Sequence, residues 1–194
     1  MPHETVDPIV CAARVVEALQ TLVSRECNPH TPLVVSVGRI CGGHVYNVIP
    51  DRVEMRGTVR TYDPNLRNAM QERIERVVRG TTEAAGASYE MTYSYRYPSL
   101  SNDPSMAALV KDVAVQVVGE ELAVAHNVDL VGEDMSFFFE RVPGCYFFVG
   151  VRNPDKDCIH PHHSPRFNMD EDALAIGVEI LVRSVERFLS EEPR

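Results

Sequence analysis

Val53-Glu54-Met55-Arg56-Gly57-Thr58-Val59-Arg60 alternates apolar and polar residues along its whole length, and the chain after it changes period. Alternation at period two marks a strand with one buried face. Over about 65–85 the apolar residues recur at helical spacing instead: Leu66, Met70, Ile74, Val77 and Val78 share one side, and Gly86 stands in the stop position. Ala87, Tyr89, Met91, Tyr93, Tyr95 and Tyr97 then alternate with mostly polar neighbours, which predicts a long strand ended by Pro98. The tyrosine stripe reads as a packed sheet face rather than a base-stacking platform. Upstream, Val6, Ile9, Val10, Ala13, Val16, Leu19 and Val23 predict an amphipathic helix to about Glu26, capped by Thr5 or Asp7, with Pro8 in its first turn. Between that helix and the opening stretch, residues 33–37 read as a strand, broken or bulged at Gly42-Gly43.

The order is helix, strand, strand, helix, strand. It matches a split βαββαβ sandwich without its first strand, which in the complete fold lies in the middle of the sheet.

Asn102-Asp103-Pro104-Ser105 breaks the composition and can cap the next helix, so the domain boundary is expected here, between residues 1–101 and 102–194. Met106, Leu109, Val110, Val113 and Val117 carry that helix over roughly 104–118. Residues 128–131 lead into the turn Gly132-Glu133-Asp134 and the aromatic Phe137-Phe138-Phe139. A continuous apolar run over 146–151 suits a strand buried on both faces. A final helix over about 170–189 is expected to turn Leu174, Val178, Leu181, Val185 and Phe188 inward. Alternating helix and strand make this half α/β, beside an α+β first half.

With 194 residues, 44% hydrophobic, the chain is long enough for a packed core. Its net charge of -9 and lack of a basic run argue against a nucleic-acid partner. Cys11, Cys27, Cys41, Cys145 and Cys158 are odd in number and lack CxxC spacing, which suggests reduced thiols and a cytoplasmic location. No apolar stretch approaches membrane-span length, and Met1-Pro2-His3-Glu4 lacks a targeting pattern.

Chemistry is concentrated in Cys158-Ile159-His160-Pro161-His162-His163-Ser164-Pro165-Arg166-Phe167-Asn168. Imidazole ligates zinc and its neighbours well, but a Pro-bounded loop aims about one ring at a time, so the run suggests a single ligand. The alternative is a solvated loop rich in histidine.

Several motifs then line up in order: Pro2-His3-Glu4-Thr5-Val6-Asp7-Pro8-Ile9, Leu22-Val23-Ser24-Arg25-Glu26, Gly42-Gly43 with Asn47-Val48-Ile49-Pro50-Asp51, and Gly57-Thr58-Val59-Arg60-Thr61-Tyr62-Asp63. With Gly132-Glu133-Asp134-Met135-Ser136 and His163-Ser164-Pro165-Arg166-Phe167, they closely resemble the amidohydrolase branch of the aminoacylase and carboxypeptidase family of two-metal peptidases. Hippurate hydrolase, auxin-conjugate hydrolases, N-acetyldiaminopimelate deacetylases and thermostable carboxypeptidases belong to that branch.

The resemblance implies that residues 1–101 are a split-βαβ lid that dimerises, and that 102–194 are the C-terminal part of an α/β catalytic domain. It implies His163 as the last metal ligand, in preference to His160 and His162, with Glu133 and Asp134 close to the metals. A structural alternative has Asp134 capping the short helix after it. Asn47 and Arg60 match lid residues that hold the substrate's carbonyl and carboxylate; Arg96 is a weaker candidate for the same task. His3 and His44 match no ligand.

The family's remaining ligands and its glutamate base are expected upstream of residue 1, so no catalytic residue is assigned here. The expected whole is a homodimeric hydrolase of N-acyl amino acids or short peptides, with two divalent ions (Zn, Mn, Co or Ni). This chain is expected to be its C-terminal portion, inactive alone. The alternative is a non-catalytic dimerisation or binding module derived from such an enzyme.

Overall fold

The computed structural model describes residues 1–125 and 129–190. The chain separates into two compact units, Met1–Ser99 with Leu130–Gly132, and the described residues of Leu100–Asp129 with Glu133–Arg194.

In the first unit, α1 (Pro8–Ser24) precedes an antiparallel pair, β1 (Leu33–Gly42) and β2 (Val53–Thr61), followed by α2 (Pro64–Ala84). Both helices begin at an Asp-Pro pair. Asp7 accepts from the Ile9 and Val10 amides, and Asp63 from Asn65 and Leu66, while Pro8 and Pro64 occupy first-turn positions that have no N–H to satisfy. α2 ends as its glycine predicts. Gly86 has φ +68°, its N–H donates to Glu83 O, and the Ala87 N–H reaches Thr82 O, which together make a Schellman close.

The strands are in register with Val35 opposite Val59 and Val37 opposite Gly57, and an irregularity follows between Val37 and Arg39. β1 therefore runs through to Gly42 and deforms at Gly38, rather than stopping after Val37 as its apolar run suggested. At Gly57 the backbones come close: a Cβ there would lie 2.5 Å from Ser36 O, so the apolar position facing Val37 has to be glycine. Val15, Leu19, Leu22, Leu33, Val35 and Met70 form the core, with Leu66, Ile74, Val77 and Val78 packed against it, as the period of α2 required.

Two expectations for this unit fail. α1 buries Cys11, Ala12, Val15, Leu19 and Leu22, whereas Ile9, Val10 and Ala13 are exposed. The helix is apolar over too wide an arc for its period to select a face. Residues 87–97 form no ladder with any described residue, although exposure alternates as in a strand over residues 87–93 before residues 94–97 all become exposed. They lie along α2, with Tyr89 Oη donating to Glu75 (3.2 Å), Tyr95 Oη to Asn68 O (3.2 Å) and Arg67 Nη2 to Arg96 O (3.1 Å). In a split-βαβ order their neighbour is the first strand, and among the described residues β1 and β2 pair only with each other.

The second unit holds α3 (Pro104–Val118), the short α4 (Met135–Phe139) and α5 (Asp172–Ser190). Asp103 caps α3 through the Ser105 and Met106 amides, over the residues its Asp-Pro signal marked. Leu109, Val113 and Ile180 form the core between α3 and α5, with Phe147 and Ile176 beside them. α5 presents the face opposite to the one expected: Leu174, Val178, Leu181, Val185 and Phe188 are 54–61% exposed, while Ala173 and Ile180 are buried. Residues 146–151 form no ladder either, and Phe148 is 54% exposed, so this run is not a strand covered on both sides here. Val128 lies outside the described residues, and residues 129–131 belong to no strand. The observed architecture is thus a helical chain with a small two-stranded sheet; no α/β alternation appears among the described residues of the second unit. No helix among the described residues is long and apolar enough to cross a membrane.

Candidate functional site

In the first unit the candidates lie on the sheet and its connections. Asn47 is on the exposed β1–β2 turn, beside Tyr46, whose side chain has no cover at all (103% exposed). Arg60 stands near the end of β2, exposed, and donates from Nη1 to Leu130 O (2.8 Å). A Cβ on Gly132 would be 3.5 Å from that Nη1 and 3.3 Å from Tyr97, so the segment 130–132 runs closely against Arg60 and Tyr97. Arg96 is exposed, and its contact with α2 is made by its carbonyl, not its guanidinium.

In the second unit Glu133 opens α4. Its Oε1 accepts from the Met135 amide (3.3 Å) and its Oε2 from the Tyr146 hydroxyl (3.0 Å). A hydrogen bond with the Asp134 carboxyl, then those two donors, holds the Glu133 carboxyl below its ordinary range. Burial, reinforced by the Glu133 carboxylate, pushes the Tyr146 phenol up, so it remains a donor. Asp134 occupies the N-cap position of α4 without a side-chain capping bond, and Glu133 receives the helix amide instead. The capping alternative for Asp134 therefore fails: its backbone is already helical (φ -76°, ψ -19°), which points the carboxyl away from the first-turn amides.

The histidine loop consists of two tandem turns, closed by the Ser164 amide on Pro161 O (3.2 Å) and the Phe167 amide on Ser164 O (3.0 Å). His163 is third in the first turn with φ +67°, a left-handed conformation that costs a non-glycine residue on the order of 1 kcal/mol. His162 stacks edge-on against Phe167 (4.6 Å between centroids) and lies 6.2 Å from the His163 ring, and both histidines are exposed.

Among the described residues no group of three or more His, Cys, Asp and Glu side chains could hold a metal ion. One exposed imidazole and a carboxylate already engaged by Tyr146 fall short of the four ligands a zinc site uses. The described residues by themselves do not fit a two-metal centre.

Two groups escaped the sequence reading. Tyr146 reads in the sequence as the start of an apolar run, and only its hydroxyl hints at the bond to Glu133. Lys156 and Asp170, which pair at 2.5 Å across the base of the histidine loop, carry no periodic signal.

Comparison with known proteins gives these features a context. Residues 4–187 match the model of peptidase family M20/M25/M40. The chain is 35% identical to thermostable carboxypeptidase 1 of Saccharolobus solfataricus, over 91% of itself and 44% of that protein. To the N-acetyl-L-cysteine deacetylase of Bacillus subtilis it is also 35% identical, over 97% of itself and 44% of the relative. Among solved structures it superposes, with a TM-score of 0.68 and 27% identity, on a dinuclear metal binding peptidase of Bacillus subtilis, covering 97% of this chain and 48% of that one. The chain thus spans a little under half the length of these relatives, and it belongs to peptidase family M20/M25/M40.

Proposed function

We propose that this chain works as the C-terminal portion of a metal-dependent amidohydrolase or carboxypeptidase that cleaves an amide bond in N-acyl amino acids or short peptides. The observation that carries the reading is the family match over residues 4–187 of a chain that spans under half of its relatives. In this reading residues 1–101 are the lid and residues 102–194 the end of the catalytic domain. Asn47 donates to the substrate carbonyl, and Arg60 presents its exposed guanidinium to a carboxylate, helped by Arg96. His163 supplies one ligand to a pair of divalent ions (Zn, Mn, Co or Ni), and Glu133 and Asp134 stand near it. The remaining ligands and the base would come from the complementary portion, and ions bound there would supply Lewis acidity toward water and the amide carbonyl. The lid pairs two copies through β1 and its turn, where Val34, Ile40, Val45, Tyr46 and Val48 are exposed. The five free cysteines suit the cytoplasm.

A second reading, a dimerising module without turnover, agrees equally with the lack of a metal-holding group of three among the described residues. A panel of N-acyl amino acids and dipeptides separates the two. The chain is assayed alone and joined to the N-terminal portion of a family relative, each with Zn or Mn and with chelator. The hydrolase reading expects silence alone and chelator-sensitive turnover once joined. Silence in both would leave the module, and chelator-sensitive turnover by the chain alone would overturn its description as a portion.

A further inference from the structure

The loop bearing His160, His162 and His163 is tied at both ends to one short stretch, residues 151–153. At the leading end Asn153 and Cys158 exchange both backbone hydrogen bonds, each 2.9 Å, and Cys158 is buried. At the trailing end the Asp170 amide donates to Val151 O (3.0 Å), and Asn153 Nδ2 donates to Asp170 Oδ2 (2.6 Å). Lys156, in the 3-10 turn Pro154–Lys156, spans the two ends: its Nζ donates to Asp170 Oδ1 and to Asp172 Oδ2, both at 2.5 Å.

We propose that Lys156, acting through Asp170 and Asp172 together with Asn153, is a positioning residue that clasps the base of the loop 157–169 and sets the pose of His163. The significance of that pose rests on the reading of His163 as a metal ligand.

Three observations support the clasp. The Asp170 side chain is 14% exposed and Lys156 46%, so the carboxylate end of the pair is covered while the ammonium end meets water. Hydrogen bonds from Asn153, then Lys156, lower the Asp170 carboxyl to about 2, and the Asp170 and Asp172 carboxylates raise the Lys156 ammonium. Within the loop the bonds are local turns, and His163 sits at positive φ, a conformation that persists only when its surroundings hold it. The clasp supplies that hold by fixing the two ends of the loop, at Cys158 and Asp170, between which the turns lie.

Hydrogen exchange on the whole 194-residue chain tests this, comparing Lys156→Met, Asp170→Asn, Lys156→Arg and, as a matched surface-pair control, Arg183→Met, which removes the bridge to Glu179. Loss of a charged hydrogen bond should speed exchange over residues 159–168 by on the order of tenfold in the first two variants. α3 should keep its rate, Lys156→Arg should restore protection, and Arg183→Met should leave the loop as it was. The His162 imidazole proton resonances should also move in Lys156→Met as the ring leaves Phe167. If Lys156→Met does not fold, Asp172→Asn gives the same readout with about a threefold change. Unchanged loop exchange in these variants, or equal acceleration of the loop and α3, overturns the clasp. Zinc titration followed through the His163 imidazole tests the ligand reading separately: no response would remove the ligand role while leaving the clasp intact.

Discussion

α2 and α5 carry the same kind of sequence and meet different surroundings. Each has an apolar stripe at helical spacing. In α2 the stripe of Leu66, Met70, Ile74, Val77 and Val78 lies against the core with β1 and α1, and Met70 is 0% exposed. In α5 the stripe of Leu174, Val178, Leu181, Val185 and Phe188 stays open, and the helix packs through Ala173, Ile176 and Ile180 instead. Period identifies a helix and its apolar side. It does not identify the neighbour, and burial belongs to the pair rather than to the helix.

The largest test of this contrast is Met70→Ala. Truncating a fully buried side chain should cost about 2–5 kcal/mol in chemical denaturation, and a loss below about 1 kcal/mol would mean that the α2 stripe is not packed as described. Removing a cap comes next: Asp63→Ala and Asp103→Ala should each cost about 1 kcal/mol by the same measurement, because two amides at each helix start lose their acceptor. An unchanged midpoint would mean the Asp-Pro starts are not needed.

A subtler effect concerns pH. Asp170 is held at about 2 rather than 3.8, so its contribution is fully present above about pH 4 and disappears as the pH falls through 2. Exchange in the loop 157–169 should therefore rise between pH 4 and 2 after correction for intrinsic rates, and Asp170→Asn should flatten that rise. A profile that is the same in both proteins would count against the ion pair with Lys156. The smallest effect is expected from Leu181→Ser on the open stripe of α5: within about 0.5 kcal/mol of the parent. A loss of 2 kcal/mol there would show the stripe to be covered and would erase the difference between the helices.

Much of the fold was legible where local chemistry decides it. Asp7-Pro8 and Asp103-Pro104 mark two helix starts, Gly86 marks an end, and the alternation of residues 53–60 marks β2, whereas the Asp63-Pro64 start of α2 went unread. What could not be read depends on partners distant in the chain. The stretch 87–97 has the pattern of a strand without a neighbour to complete its ladder, and the run at 146–151 shares that condition. Of the candidate site, His163, Glu133 and Arg60 were proposed from ordered motifs. The Tyr146–Glu133 bond and the Lys156–Asp170 pair link residues 13 and 14 positions apart, and nothing in a one-dimensional pattern announces them.

The most direct test of the central claim is the metal content of the chain joined to a relative's N-terminal portion, with and without His163→Ala. The account predicts two bound ions in the joined protein, and the loss of at least one of them, with chelator-sensitive hydrolysis, on substitution. Two ions retained with full activity after His163→Ala would contradict it.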